Sequence, residues 1–512
     1  MLNKGDLLAL RQCQRRLWLK HHGADLAQKN DSRARLNKLY GQMVGETARD
    51  AFGDRQVWPT DDVDAQTRVT NTVQRLQQQP DSVGIETPFL REGLFCRADA
   101  VIRTNGHYTL QQTKASTFPL KKDKVTPKEA EPHHVEDAAI QMWAAEVSGL
   151  SVSKVELNLL DNRWIFPGDG NYQGMFRTLD ISAAVAKLVP EIAEWKKQAQ
   201  TILAGGLPAV ETGKHCENPH ACPFIAHCKK LDSAPDAHPL ELLPDSAGKN
   251  LAKKLRSKGY TSLIEVPADE LIGAASELYK RVQQAHTQGA AILESGAASM
   301  LAAAPYPRYF LDFEGINLPV PRWKGVRPYE QIPFQWSCHV EIAAGVFVHF
   351  EFLDTSGNDP SLACIEKLLA AIDSSGSGPI YVYHATYERQ VLDGLAARYP
   401  DFSEALASLV SRIVDLLPLV KDHYYDPAMR GTFGLKKVLP TIAPDLNYGN
   451  LEDVQEGVGA QITYLSIAAN KDMSVQEKEE LRANLLAYCA QDTWAMVEVA
   501  YFLEGRGRPI LA

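Results

Sequence analysis

The chain has 512 residues, 45% hydrophobic and 23% charged, with a net charge of −9 and a mean hydropathy of −0.25. This composition excludes a disordered chain, a collagen-like repeat and a coiled coil, and the length suggests two to four domains. Eight cysteines are too few for a disulfide scaffold of this size, and the acidic balance argues against a surface that wraps DNA non-specifically.

Met1–Arg16 is charged throughout and lacks an apolar segment, so no signal peptide is expected. No run approaches the roughly 18 apolar residues of a membrane span. The expected setting is the reducing cytoplasm with no membrane partner, where cysteines serve as thiols or ligands. The charge is uneven: about 30 basic and 27 acidic residues lie within 1–230, against about 24 and 36 beyond. No internal repeat is visible.

Gly93–Thr117 reads as two strands flanking Asn105-Gly106, a strong signal for a two-residue hairpin turn. Such a turn pairs residues whose numbers sum to 211, so Thr104 faces His107, Val101 faces Leu110 and Asp99 faces Gln112. Opposed side chains share a face about 5 Å apart, and Lys114 follows on that face. Asp99, Gln112 and Lys114 are therefore expected in one patch.

The patch resembles the core of PD-(D/E)XK nucleases in their RecB-type form, over residues 1–232. The resemblance implies a restriction-endonuclease-like domain in which Asp99 is a metal ligand. Gln112-Thr113-Lys114 stands in the place of (D/E)XK, Gln112 as a ligand and Lys114 positioning the attacking water. Glu46, in Gly41–Glu46, takes the place of the first-helix acid and metal ligand. Gln141, in Asp137–Trp143, matches a glutamine that follows the core and is assigned to nucleic-acid contact. Two departures stand out: Gln112 replaces the second acid, and Gly45 replaces a first-helix histidine. Glutamine offers a hard cation one neutral oxygen. Two readings stay open, an active nuclease site and a degenerate fold that still binds nucleic acid.

Cys216, Cys222 and Cys228 follow a C-x5-C-x5-C pattern, and Cys13 lies near the start. Zinc sites usually use closer pairs, although His215, His220 and His227 keep zinc open, and unliganded thiols remain a third reading. RecB-type nucleases of the CRISPR-associated and helicase–nuclease kinds carry one cysteine before the core and three after it. That resemblance implies a 4Fe–4S cluster on Cys13, Cys216, Cys222 and Cys228, tying together the two ends of the domain, and leaves room for a helicase partner. Cys96, Cys338, Cys364 and Cys489 read as core residues.

Leu231–Pro244 is rich in Asp, Ala and Pro and reads as a connector. Leu251, Leu255, Leu263, Leu271, Leu278 and Val282 then recur at helical spacing, so a helical spacer is expected over 233–303.

Tyr309–Gly315 alternates strictly, with Tyr309, Leu311 and Phe313 on one strand face and Asp312 and Glu314 on the other. Pro379–Tyr383 reads as a strand, and His384–Glu388 turns into a helix with Glu388 in its first turn. Tyr488 and Asp492, four apart in the long helix expected over Glu480–Leu503, share a face. Asp415 lies in the run RIVDLL.

These three motifs resemble the DEDD 3′–5′ exonucleases, in the tyrosine branch that includes RNase D-like enzymes and proofreading domains. The resemblance covers 304–512 and implies an RNase H-like domain. Asp312, Glu314, Glu388 and Asp492 would hold two Mg²⁺ or Mn²⁺ ions that stabilise the attacking and leaving oxygens. Glu388 stands where the family has aspartate. Tyr488 would orient the attacking water, since a tyrosine with its ordinary pKa of about 10 does not ionise unaided at neutral pH. Asp415 matches a recurrent aspartate that is usually not a ligand.

Arg322, Trp323, Lys324 and Arg327 interleave basic and aromatic side chains with Tyr329, Phe334 and Trp336, a composition suited to single strands and 3′ ends. Lys436 and Lys437 add charge after a Gly-containing turn. The expectation is an α/β multidomain protein that hydrolyses phosphodiester bonds, resembling a bacterial family of fused RecB-like and DnaQ-like proteins. A non-catalytic, nucleic-acid-binding iron–sulfur protein is the alternative.

Overall fold

The structure, a computed structural model, describes residues 1–28, 32–60, 64–232, 237–446, 457–470 and 472–510. It is an α/β chain with two compact units, Met1–Ala234 with Leu318–Glu330, and Pro235–Asn317 with Gln331–Ala512. Among the described residues no helix is long and apolar enough to cross a membrane.

The first unit is built on a seven-stranded sheet. Its strands are β1 (Leu2–Asn3), β2 (Gln56–Val57), β3 (Val83–Arg91), β4 (Leu94–Thr104), β5 (His107–Thr117), β6 (Val152–Leu160) and β7 (Phe176–Asp180). They run in the order β2-β3-β4-β5-β6-β7, with β1 beside β4. The turn between β4 and β5 has Asn105 at φ 51° and Gly106 at φ 81°, the left-handed backbone that this dipeptide tolerates and a tight hairpin needs. The register is the expected one: Thr104 opposes His107, Val101 opposes Leu110 and Ala100 opposes Gln111.

β5 and β6 are parallel, so the chain must cross over between them. It does so through the helix Pro132–Ala145. Ala138, Ala139, Ile140 and Trp143 of that helix share one buried core with Val101, Leu110 and Leu157 of the sheet. The helices Lys4–Gln12 and Gln14–His22 are separated by one extended residue, Cys13.

Leu318–Glu330 belongs to this unit although the residues on both sides of it belong to the other. Val320 and Tyr329 pack with Val44, Leu160 and Met175. The Tyr329 hydroxyl donates to the Ala115 carbonyl, and the Tyr172 hydroxyl donates to the Pro321 carbonyl at 3.1 Å. Sequence proximity had placed these residues in a domain over 304–512; apolar packing places them here.

The second unit contains β8 (Ile292–Leu293), β9 (Arg308–Ile316), β10 (Ile332–Ala343), β11 (Val346–Leu353), β12 (Ile380–Val382), β13 (Ile413–Asp415) and β14 (Tyr424–Tyr425). Five form a mixed sheet in the order β11-β10-β9-β12-β13, and β8 pairs with β14. β9, β10 and β11 are antiparallel neighbours, whereas β12 and β13 run parallel to β9. The helix Val475–Glu504 begins at a capping box made by Ser474 and Glu477.

The helical stretch expected as a spacer is part of this unit's core. Leu251, Leu255, Leu263 and Val282 are buried in one cluster with Phe310, Tyr381 and Val497. A free-standing spacer would leave that apolar stripe in water, at about 25 cal/mol per Å².

Candidate functional site

The alternation in β9 sends Tyr309, Leu311 and Phe313 into the core. Asp312 and Glu314 occupy the opposite face. There, Asp312, Glu314 and Asp492 each offer a carboxylate oxygen, all within 4.8 Å of one another. Asp492 comes from the long C-terminal helix. Glu314 and Asp492 are only 9% exposed and Glu388 only 3%.

Carboxylates held this close in a buried site resist ionisation. Burial, and then repulsion from Asp492, Glu314 and Glu388, holds Asp312 well above the usual carboxylate range. Burial and Asp492 push Glu314 up to about 8. Burial and Asp415 push Glu388 up to about 8. Glu388 Oε2 has no hydrogen-bond partner among the described residues. Three close carboxylates, with a fourth nearby whose oxygen is orphaned, fit hard divalent cations, which take several oxygen ligands and offset the repulsion.

Neighbouring residues hold this geometry. Glu388 is in the first turn of the helix Thr386–Arg398, which follows β12. The preceding turn puts His384 at φ 73°, a left-handed conformation costly for a residue with a Cβ. Asp415 stabilises it, accepting from the backbone N–H groups of His384 at 2.8 Å and Ala385 at 3.0 Å. It also caps the helix Leu416–His423 by accepting from Leu417. Asp415 is thus a positioning residue.

Tyr488 is buried, and its hydroxyl accepts a 2.8 Å hydrogen bond from Lys436 Nζ. The same ammonium lies 4.5 Å from the Tyr488 ring centre and favours the charged form of Glu314. Lys436, expected at nucleic acid, is therefore built into the site, while Lys437 is exposed. Two further residues escaped the sequence reading. The Tyr387 hydroxyl accepts from Gln331 Nε2 at 2.9 Å, and burial together with Glu314, Asp312 and Glu388 holds its pKa well above the usual value. The Cys489 thiol, read as plain core, donates toward Asp312 Oδ2 at 3.6 Å. The spacing of Cys489, one residue after Tyr488 in a helix facing β9, was the available signal.

In the first unit the pairing of β4 with β5 runs from Thr104–His107 to Ala100–Gln111 and does not extend to the expected Asp99–Gln112 pair. Asp99 Oδ2 accepts from the Thr113 N–H at 2.9 Å. Lys114 Nζ donates to Asp137 Oδ2 at 2.6 Å. Lys4 Nζ reaches Asp137 Oδ1 at 2.8 Å, and Gln141 Nε2 donates to that same oxygen at 2.9 Å. Burial opposes ionisation of Asp137, but Lys114 and Lys4 outweigh it and hold the carboxyl far below its usual range. Gln112 is fully buried, and both polar atoms of its side chain lack a partner among the described residues.

Glu46 is exposed, and neither it nor Asp99 belongs to a close three-ligand cluster among the described residues. Asp137 is already satisfied by two ammonium groups and an amide. What remains for a cation is the Asp99 carboxylate and the neutral oxygen of Gln112. That donor set does not fit a hard divalent ion. Gln141 is fully buried against Asp137, so it positions that carboxylate and does not face a nucleic acid. Asp137 and Lys4 are the residues that sequence spacing missed here. Lys4 lies 95 residues before Asp99 in the chain, so no local pattern links them.

Cys13, Cys216, Cys222 and Cys228 all line one small cavity, together with Arg15 and His215. Cys216, Cys222 and Cys228 are buried. The Gly213 N–H lies 3.5 Å from Cys216 Sγ, and His215 Nε2 lies 3.6 Å from it. Burial pushes the Cys222 and Cys228 thiols up, and Arg15 opposes this at Cys228. The fold therefore brings together the four cysteines that lie at both ends of the unit. Cys96, Cys338 and Cys364 are buried core residues.

Arg322, Lys324 and Arg327 are exposed on Leu318–Glu330, and Trp323 is buried there at 8% exposure. All four belong to the first unit, so they are not part of the carboxylate cluster's unit. Trp323 is a packing residue and not an open stacking platform.

No curated protein matches this chain. Residues 309–434 match the family described as a domain of unknown function, DUF2779, a stretch that includes Asp312, Glu314, Glu388 and Asp415 and stops short of Lys436, Tyr488 and Asp492.

Proposed function

We propose that this chain is a metal-dependent nuclease that hydrolyses phosphodiester bonds from the 3′ end of a nucleic-acid strand. The observation that carries this reading is the Asp312, Glu314 and Asp492 cluster within 4.8 Å, joined by the orphaned carboxylate of Glu388. The strand order supports an RNase H-like unit, with two antiparallel strands beside β9 and two parallel ones on its other side. The 3′–5′ polarity rests on the resemblance to the tyrosine branch of DEDD exonucleases.

Asp312, Glu314, Glu388 and Asp492 would hold two Mg²⁺ or Mn²⁺ ions, which offset the charge that builds on the attacking and leaving oxygens. The chain's own groups do the rest. Lys436 occupies a lone pair of the Tyr488 hydroxyl, which directs the hydroxyl proton away from the ammonium. From there it orients a water for in-line attack. Asp415 keeps the Glu388 turn in place. Buried carboxylates and the Tyr387 ring exclude bulk water from the reacting face.

The first unit reads as a restriction-endonuclease-like fold that no longer cleaves, because Lys4 and Lys114 neutralise Asp137. Its four thiols around one cavity suit a 4Fe–4S cluster. A tetrahedral zinc site would hold its sulfurs about 3.8 Å apart, given Zn–S bonds of about 2.3 Å, and the close ligand group among the described residues is the carboxylate one.

The test is a strand-polarity assay with Mg²⁺ or Mn²⁺ on end-labelled DNA and RNA. The wild type should shorten strands from the 3′ end, and Asp312→Ala should lower the rate at least ~10³-fold. Equal activity in Asp312→Ala would overturn the site, and shortening from the 5′ end would overturn the polarity.

A further inference from the structure

We propose that a groove on the first unit binds a single strand of nucleic acid through its phosphates, apart from the carboxylate centre. This rests on the nuclease reading only for the class of ligand. The groove has a volume of about 730 Å³ and opens where β5 ends, at Ser116 and Thr117. Lys121, Lys124, Lys128, Arg163 and Arg327 line it against one carboxylate, Glu131. Arg163 is engaged by Asp161. The other four cations are exposed, and none of them forms an ion pair with a described residue. Such a concentration runs against a chain whose net charge is −9. Unpaired cations converging on one concave surface raise the local potential and attract polyanions.

The lysines stand on a built loop. Asp123 Oδ1 accepts from the N–H groups of Val125 and Thr126, both at 2.9 Å, and Oδ2 accepts from the Thr126 hydroxyl at 2.6 Å. Backbone bonds from Lys121 to Thr126 at 2.8 Å and from Lys128 to Pro119 at 3.0 Å close the loop. A loop whose backbone is already ordered loses less freedom on binding. Arg327 reaches the groove because its segment packs on this unit.

Phe118, Leu157 and Leu159 lie beneath the groove as packed side chains, and the Arg177 guanidinium sits 3.9 Å from the Phe118 ring centre. Recognition is therefore by charge: phosphates meet the cationic rim, which tracks a strand's backbone. The choice of a strand over another polyanion follows from the nuclease reading of the same chain. A second cavity of about 610 Å³ shares Glu131 and His134 with the groove, but there Lys114 is paired with Asp137 and Arg11 with Glu136, so the basic rim belongs to the first groove.

The experiment uses the full chain with labelled 30-residue single-stranded DNA and RNA, in EDTA so that cleavage plays no part, across a salt series. Lys121→Ala/Lys124→Ala/Lys128→Ala should weaken binding at least ~tenfold at low salt. It should also reduce the slope of log K against log salt by about 2, since each single-strand phosphate contact contributes about 0.7. The exposed triple Lys187→Ala/Lys197→Ala/Lys367→Ala removes the same charge elsewhere and should change the slope little. Equal losses in the two triples would overturn the site, and so would an unchanged slope in the first. Polyglutamate competing as well as the oligonucleotide would overturn the choice of ligand. The EDTA series reads binding without cleavage, so failure of the catalytic reading leaves this result readable.

Discussion

Lys436 and Tyr488 form one unit: the ammonium donates to the phenol oxygen at 2.8 Å and also lies 4.5 Å from the ring centre. The lysine sits after a Gly-containing turn and the tyrosine on the last long helix, so two separate segments converge on one hydroxyl. Lys436→Met should lower kcat about tenfold to a hundredfold with little change in KM, because it removes orientation and not substrate binding. Lys436→Arg should recover part of the loss. A KM effect without a kcat effect would return Lys436 to the role of phosphate contact.

The raised carboxyl groups make a pH prediction. Glu314 and Glu388 move from an ordinary value of 4.5 to about 8 in the folded, cation-free protein. The folded state then holds protons that the unfolded chain releases, so this contribution is fully present below about 4.5 and is lost as pH rises through 8. In EDTA, the thermal midpoint should fall between pH 5 and pH 9. Glu314→Gln/Glu388→Gln should flatten that decline, and millimolar Mn²⁺ should raise the midpoint most at the alkaline end. A midpoint that rises with pH in EDTA, equally in wild type and variant, would contradict the arrangement.

Lys4 and Lys114 share Asp137 at 2.8 and 2.6 Å. Asp137→Asn should destabilise the first unit by about 3 kcal/mol, because two partly buried ammonium groups lose their counter-charge. The same ion pairs predict that Asp312→Ala retains no tight Mn²⁺ site in a calorimetric titration. One remaining site that disappears on adding Asp99→Ala would show that the first unit does hold a cation.

The cysteines make a prediction about colour and composition. Protein prepared without oxygen should be brown, absorb near 400 nm and contain about four iron and four sulfide per chain. Cys222→Ser should lose both and lower the first unit's stability. A colourless protein with one zinc per chain would replace the cluster with a zinc site.

Much of each site is legible in local pattern. The Asn105-Gly106 turn carries its register through to Ala100 and Gln111, because a two-residue turn leaves one way to pair the strands. The strict alternation of Tyr309–Gly315 separates Asp312 and Glu314 from the core side, as period-two geometry requires. The four-residue spacing puts Tyr488 and Asp492 on one helix face. Each of these depends only on backbone geometry over a few residues.

Other features have no local signal. Lys4 neutralising Asp137, Lys436 bound to Tyr488, and Asp415 holding the His384 turn all join residues far apart in the chain. Arg322, Trp323, Lys324 and Arg327 read from the sequence as contacts of the exonuclease region, but Val320 and Tyr329 beside them pack in the first unit. Arg327 thereby lines a groove that its sequence neighbours do not suggest. Residue types and short-range periodicity therefore state which chemistry the chain carries. Which groups meet depends on how separated segments pack, because a polar contact forms at about 3 Å and no rule of spacing supplies that between residues 31 or 52 positions apart, or between Lys4 and Asp137.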